Sequence, residues 1–221
     1  MASKYRRIIA VGDIHGMGDR FDSLYRKMDY RPEEDFLIFL GDYIDRGPDS
    51  VRMLDWMMEH TRSDDVVALR GNHEQMMIDF MDEGGSQYAW LLNSGLSTLQ
   101  ALRKSFRWHK YIDFVRSLPC SYQLEAGGKT YFFAHAGVNP QKPLSEQSDD
   151  DLLWVREEYY KHYQGEAVVV SGHTPVQLIT EGETVPISKE NMIMLDTGSF
   201  IRDGGHISAI DVQTREFWQS D

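Results

Sequence analysis

Apolar residues in this chain gather first into short unbroken runs and then into helical spacing. Ile8-Ile9-Ala10-Val11, Phe36 to Leu40 and Asp65 to Leu69 read as buried strands. Between the first two, Phe21, Leu24, Tyr25 and Met28 recur at steps of three and four, which predicts a helix from Arg20 to Met28. Pro48-Asp49-Ser50 opens a second helix with Val51, Leu54, Met57 and Met58 on one face. Asn72 to Met81 reads as a third helix, its methionines Met76, Met77 and Met81 packing it inward. Strand, loop and helix repeated in this way imply βαβ units on a mostly parallel sheet.

The pattern then changes. Gln87 to Leu118 reads as a helical insertion, with Tyr88, Trp90, Leu91, Leu92, Leu96, Leu99 and Leu102 supplying core. Ser121 to Leu124 and Thr130 to Ala134 flank Gly127-Gly128, a hairpin signal. Asp149 to Tyr163 predicts a helix, capped by Ser148 or Asp149. Val168-Val169-Val170 is a strand leading to Gly172-His173, and Ile193 to Trp218 reads as several short strands. The first half is therefore α/β and the second richer in β. With no low-complexity linker and no repeat, the chain reads as one α/β domain of two packed sheets with helices outside.

Composition narrows the function. The 221 residues suffice for a sizeable core. A net charge of -12 argues against a general binder of nucleic acid or anionic membrane, since phosphate backbones reward clustered Lys and Arg. It leaves a phosphorylated substrate open, because a metal and a few arginines reverse the field inside one pocket. Cys120 is the single cysteine, so no internal disulfide forms, which fits a reducing compartment. Beside Pro119 it reads as a small residue entering a strand rather than a nucleophile. The start, Met1 to Arg7, is short and basic and lacks the apolar stretch of a signal peptide. No apolar run approaches membrane-spanning length, and a cytoplasmic protein is expected.

The chemistry lies just past the strands, in Gly12-Asp13-Ile14-His15-Gly16, Gly41-Asp42-Tyr43-Ile44-Asp45-Arg46-Gly47 and Gly71-Asn72-His73-Glu74. One such segment is ordinary turn and cap chemistry. Three in order, followed by His135 and His173 in similar settings, deliver ligands to one sheet edge, where α/β sheets bind them. Asp13, His15, Asp42, Asn72, His135 and His173 offer two carboxylates, one amide oxygen and three imidazoles. That exceeds one tetrahedral zinc and suits two neighbouring metals sharing a carboxylate. Oxygen and imidazole without thiolate point to Mn, with Fe, Zn and Ni as alternatives. Arg46, Arg70 and Arg156 offer guanidinium forks that match phosphate oxygens. His73 is placed to protonate a leaving oxygen, with Asp45 to orient it. His60, His109, His162 and His206 carry no motif and read as structural or surface residues. Gly204-Gly205 would let the His206 backbone approach the site.

In this order Gly-Asp-Ile-His-Gly, Gly-Asp-Tyr-Ile-Asp-Arg-Gly, Arg-Gly-Asn-His-Glu, His-Ala-Gly and Gly-His-Thr-Pro resemble the phosphoprotein phosphatase branch of the calcineurin-like metallophosphoesterases. The likeness spans about Val11 to Gly198. Size and Gly71 to Met77 look most similar to the bacterial and bacteriophage lambda-type protein phosphatases. The resemblance implies a four-layer αββα sandwich of two mixed sheets and a dinuclear centre. By motif, Asp13 and His15 bind the first metal, Asp42 bridges, and Asn72, His135 and His173 bind the second. His73 assisted by Asp45 is the general acid, and Arg46 and Arg70 hold phosphate. Trp154-Val155-Arg156 matches a further arginine position. The implied activity is hydrolysis of phosphoserine and phosphothreonine proteins or peptides, with phosphotyrosine as a further substrate, by attack of a metal-bridging hydroxide. Symmetric diadenosine tetraphosphate hydrolysis is the alternative on the same scaffold, and a catalytically silent phospho-ligand binding module is the third reading.

Overall fold

The computed structural model describes residues 4–82 and 88–221; residues 1–3 of the basic start and Gln87, where the insertion is expected to begin, lie outside the described residues. In chain order the elements are β1 (Arg7–Val11), α1 (Gly18–Met28), β2 (Asp35–Phe39), α2 (Ser50–His60), β3 (Val66–Ala68), α3 (Asn72–Asp82), α4 (Leu96–Lys104), α5 (Trp108–Ser117), β4 (Ser121–Ala126), β5 (Lys129–Ala134), α6 (Asp149–Trp154), α7 (Glu157–His162), β6 (Val168–Ser171), β7 (Ile187–Ser188), β8 (Met192–Met194), β9 (Ser208–Asp211) and β10 (Phe217–Gln219).

Among the described residues, ten strands divide into two five-stranded sheets, ordered β10-β9-β1-β2-β3 and β4-β5-β6-β8-β7. Both are mixed. The first is parallel from β1 to β3, with β9 antiparallel to β1. The second is parallel from β5 through β6 to β8, with antiparallel β4 and β7 at its edges.

Alternation along the strands creates the layers, because successive side chains point to opposite faces. Ile9, Val11, Leu37 and Phe39 join Phe21, Leu24, Leu54, Met57 and Met77 in the core beneath α1, α2 and α3. Ile8, Ala10, Phe36 and Ile38 instead meet Tyr131, Phe133, Val168 and Val170 of the second sheet. Phe132, Ala134, Val169 and Met194 pack against Leu152 and Tyr159 of α6 and α7. Helix, sheet, sheet, helix is the resulting stack, the four-layer arrangement that the resemblance implies. Strands buried on both faces have no polar alternation, which is why they read as unbroken apolar runs.

One local expectation is corrected. The helix over 149–163 is two helices, broken where Val155 turns extended and Arg156 takes φ -132°, ψ -101°. Arg156 faces the second sheet's loop there, and Tyr159 is buried beneath it. Ser148 does cap α6, in a reciprocal pair with Asp151. The second half is the richer in strands, as expected, and its β9 and β10 return to complete the first sheet.

An ion pair on the buried Asp35 carboxylate anchors the start of both leading strands. Arg7 donates from Nε and Nη2 to Asp35 at 3.0 and 2.5 Å, and the Arg31 N–H donates to the same carboxylate. Burial alone would raise the Asp35 pKa, but these donors outweigh it and hold it below the ordinary range. A depressed folded pKa means stabilisation that is complete above the unfolded value of about 3.9 and lost as pH falls through the folded one. The urea midpoint of the wild type should therefore fall more steeply between about pH 5 and pH 2 than that of Asp35→Asn, which is less stable but flatter. Parallel profiles would contradict this account.

Candidate active site

Every expected ligand lies within a few residues of a strand end: Asp13 and His15 after β1, Asp42 after β2, Asn72 at the start of α3, His135 after β5 and His173 after β6. All six, with Asp45 and His73, are at most 5% exposed. Their backbones are unusual. His15, Asp42, Asp45, Arg46 and His173 all have left-handed φ, between 48° and 71°, a conformation that costs a side-chain-bearing residue energy and collects at functional sites. Flanking glycines serve close approach. A Cβ on Gly71 would overlap Asp42 Oδ1, and one on Gly172 would overlap Asp13 Oδ1.

The donors converge on Asp42. Its Oδ1 lies 3.4 Å from His135 Nε2 and its Oδ2 3.4 Å from His15 Nε2, so its two oxygens face two different histidines. Ligand atoms of Asp13, Asp42 and His135 lie within 4.8 Å of one another. The N–H of His73, at the start of α3, donates to Asp42 Oδ1 at 3.0 Å. His15 Nδ1 donates to the Ile44 carbonyl and His135 Nδ1 to the Leu40 carbonyl. These bonds leave each Nε2 as a lone pair aimed inward, the arrangement a metal-ligating histidine needs. Burial lowers the pKa of His15 to about 3 and also lowers those of His135 and His173, keeping all three neutral.

This cluster asks for cations. The lone pair of His135 Nε2 lies 2.8 Å from Asn72 Oδ1, another acceptor, with no proton to share between them. His173 Nδ1 lies 2.9 Å from the same oxygen, while its Nε2 is buried without a hydrogen-bond partner. Asp13 is pushed well above the usual carboxylate range by burial and by the neighbouring Asp196 and Asp42. Acceptors packed against acceptors, with buried carboxylates repelling, are relieved by divalent ions. Asp13, His15, Asp42, Asn72, His135 and His173 are the residues that would hold such ions.

His73 differs from the other three histidines. Burial works to lower its pKa, but Asp42 and the bond to Asp45 outweigh it, and its proton affinity is raised. Its Nδ1 donates to Asp45 Oδ2 at 2.7 Å, leaving Nε2 facing the cluster, 3.9 Å from Asp42 Oδ2 and 3.4 Å from Arg46 Nη2. Its ring nitrogen lies within 4.8 Å of ligand atoms of His15 and Asp42, but an imidazole of raised proton affinity is suited to give a proton.

The arginines separate. Arg46 and Arg156 are exposed side chains at the mouth of the buried cluster. The Arg46 guanidinium lies over the Phe200 ring at 3.9 Å, and Phe200 meets the His15 ring edge-on at 5.5 Å. Arg156 Nη1 donates to Thr174 Oγ1 at 3.2 Å, beside His173, and not to Glu157 or Glu158. The Arg70 guanidinium is taken up by other partners. It donates to Gln75 Oε1 and to the Arg116 and Leu118 carbonyls at 2.9, 2.7 and 3.0 Å, satisfying acceptors at the end of α5.

Several contributors have no role in the motif reading. Glu74 accepts from the N–H groups of Gly71, Asp42 and Tyr43 at 2.8–2.9 Å and holds the loop that carries Asp42. Its place in Asn72-His73-Glu74, where helix N-termini favour acids, is the available signal. Asp196 is buried near Asp13 and pushed up to about 6 by burial. Phe200 carries no local signal. Of the remaining histidines, His206 donates from Nδ1 to the Ser220 carbonyl and its N–H bonds the Thr197 carbonyl, a structural tie. His60 stacks on Trp56. Burial pushes the Cys120 thiol up to about 11, which suits an inert residue.

Carboxylates and imidazoles buried at the strand ends of two packed sheets, with arginines at the mouth, define a metal-dependent phosphoester hydrolase. The calcineurin-like phosphoesterase model matches residues 6–206, and the chain belongs to that family. It is 30% identical over 220 residues to serine/threonine-protein phosphatase 1 of Salmonella typhimurium, covering 96% of this chain and 94% of the relative. It is 27% identical to the asymmetrical bis(5'-nucleosyl)-tetraphosphatase PrpE of Anoxybacillus flavithermus, covering 90% and 88%. In fold it is similar to the crystal structure of a candidate diadenosine tetraphosphatase, with TM-score 0.73, 20% identity and 99% and 95% of the two chains covered. Hydrolysis at phosphorus is what these names have in common. Among the described residues, no helix is long and apolar enough to cross a membrane.

Proposed function

We propose that this protein hydrolyses phosphoserine and phosphothreonine monoesters in proteins or peptides. The observation that carries the reading is the His73–Asp45 pair at 2.7 Å. Cleaving a serine or threonine ester expels a strongly basic alkoxide, and a positioned acid is what that departure needs. An anhydride, whose leaving phosphate is far less basic, needs one less. The 30% identity to a serine/threonine phosphatase over 96% of the chain supports the same choice.

Arg46 and Arg156 grip the phosphoryl oxygens from the mouth of the site. His73 gives the Nε2 proton to the leaving oxygen while Asp45 holds the resulting ring in place. Divalent ions, manganese foremost, supply Lewis acidity toward the phosphoryl group and acidify a water when bound by the six ligands. No side chain in the set is placed as a nucleophile. Single-turnover hydrolysis in heavy-oxygen water should therefore label the released phosphate, and a trapped covalent phosphoenzyme would contradict the reading.

A second reading, hydrolysis of dinucleoside tetraphosphates, is favoured by the name of the Anoxybacillus relative. Metal-free protein given Mn, Ni, Zn, Fe or Mg separately, and offered phosphopeptide beside dinucleoside tetraphosphate, decides between them. Turnover of the phosphopeptide should dominate. A preference for the dinucleotide by orders of magnitude would reverse the ranking, and metal-loaded protein that binds phosphopeptide without turnover would support a silent binding module.

A further inference from the structure

The general acid depends on residues outside the motif segments. Trp90 and Thr98 belong to the segment between α3 and α5, and both reach Asp45. The Trp90 Nε1–H donates to Asp45 Oδ2 at 2.8 Å, the same oxygen that accepts from His73. The Thr98 hydroxyl donates to Asp45 Oδ1 at 2.6 Å. The Asp45 N–H in turn donates to Thr98 Oγ1 at 3.1 Å and to Ser50 Oγ at 3.0 Å. Asp45, Thr98 and Trp90 are all fully buried. Neither contact is needed merely to fill a core, since Phe and Val would fill the same space without a donor.

The segment is shaped around this contact. Asn93 leaves helical geometry at φ -93°, ψ 34°, and Ser94 is left-handed at φ 76°. The kink folds Gly95 onto the indole, where a Cβ would lie 2.6 Å from ring atoms. Phe80 of α3 packs against the indole from another side at 5.3 Å between centroids. The indole N–H is thus fixed before substrate arrives.

We propose that Trp90 and Thr98 are positioning residues for the reaction, holding the Asp45 carboxylate so that His73 presents Nε2 to the leaving oxygen. Asp45 with both oxygens satisfied cannot rotate, and the imidazole it accepts from cannot swing. The insertion then acts as a third support for the acid, beside the loops after β2 and β3. This inference rests on the monoesterase reading above.

The test compares Trp90→Phe, which keeps the ring and deletes the N–H, with Thr98→Val, which keeps the shape and deletes the hydroxyl. Each is assayed for kcat and KM on p-nitrophenyl phosphate, a good leaving group, and on a phosphoserine peptide, a poor one. Loss of one hydrogen bond to a charged group should lower kcat on the peptide about tenfold, with KM retained and little change on p-nitrophenyl phosphate. Thr98→Ser should recover most of the loss. In a His73→Asn background, Trp90→Phe should add nothing, because both act on the same proton transfer. Equal losses on both esters, a loss that persists in the His73→Asn background, or no loss at all would overturn the proposal. If Trp90→Phe fails to fold, the Thr98→Val and Thr98→Ser pair still decides. Wild-type protein inert toward both esters would overturn the monoesterase reading and this inference with it. Active wild type with unaffected variants would overturn the positioning role alone.

Discussion

His73→Asn should cut turnover of a phosphoserine peptide by about 10²–10⁴-fold, the usual scale of general acid catalysis, while metal content stays that of the wild type. Asparagine keeps the backbone N–H that donates to Asp42 Oδ1 and the start of α3, so the ligand loops keep their support. What it removes is the group whose proton affinity is raised by Asp42 and Asp45. Activity on p-nitrophenyl phosphate should fall far less, because that leaving group departs without protonation. Equal losses on the two esters would show that His73 acts on something other than the leaving oxygen. Loss of metal in the variant would make it a ligand instead.

Asp42→Asn should have the opposite signature, weakening both metals at once. One oxygen of Asp42 faces His135 and the other His15, each at 3.4 Å, so a single carboxylate stands between the two halves of the donor set. Neutralising it removes the shared charge while the amide still fits the space. Metal content measured by plasma emission should drop at both sites, with affinity lowered beyond the roughly 10–100-fold that loss of an outer-shell partner costs. Unchanged content would refute the bridging role, and loss of one metal only would restrict Asp42 to a single site.

Much of the architecture was legible because sheets buried on both faces write themselves as apolar runs. The runs at 8–11, 36–40 and 65–69 become β1, β2 and β3, and the hairpin around Gly127-Gly128 becomes β4 and β5. The antiparallel return of β9 onto β1 was not legible, since pairing 202 residues distant, Ile9 with Asp211, leaves no local trace. The break at Val155-Arg156 escaped for a related reason. Spacing over 149–163 is compatible with one helix, and only the packing of Tyr159 and the bonds of Arg156 divide it.

The same boundary runs through the site. Order along the chain selected Asp13, His15, Asp42, Asn72, His135 and His173, because strand ends and glycine-flanked turns are local features that one stretch of residues specifies. Where side chains finish is a different matter. Arg46 and Arg156 reach the mouth of the cluster while Arg70 is bound to carbonyls at the end of α5, although all three are arginines beside motif residues. Phe200 under Arg46, and Trp90 and Thr98 on Asp45, come from segments that carry no such motif. Residue type and spacing thus nominated the groups of this chain offered for metal binding and proton transfer. Tertiary packing decided which of them meet and what holds each one still, since a long side chain takes its direction from distant partners that its own neighbours in sequence do not encode.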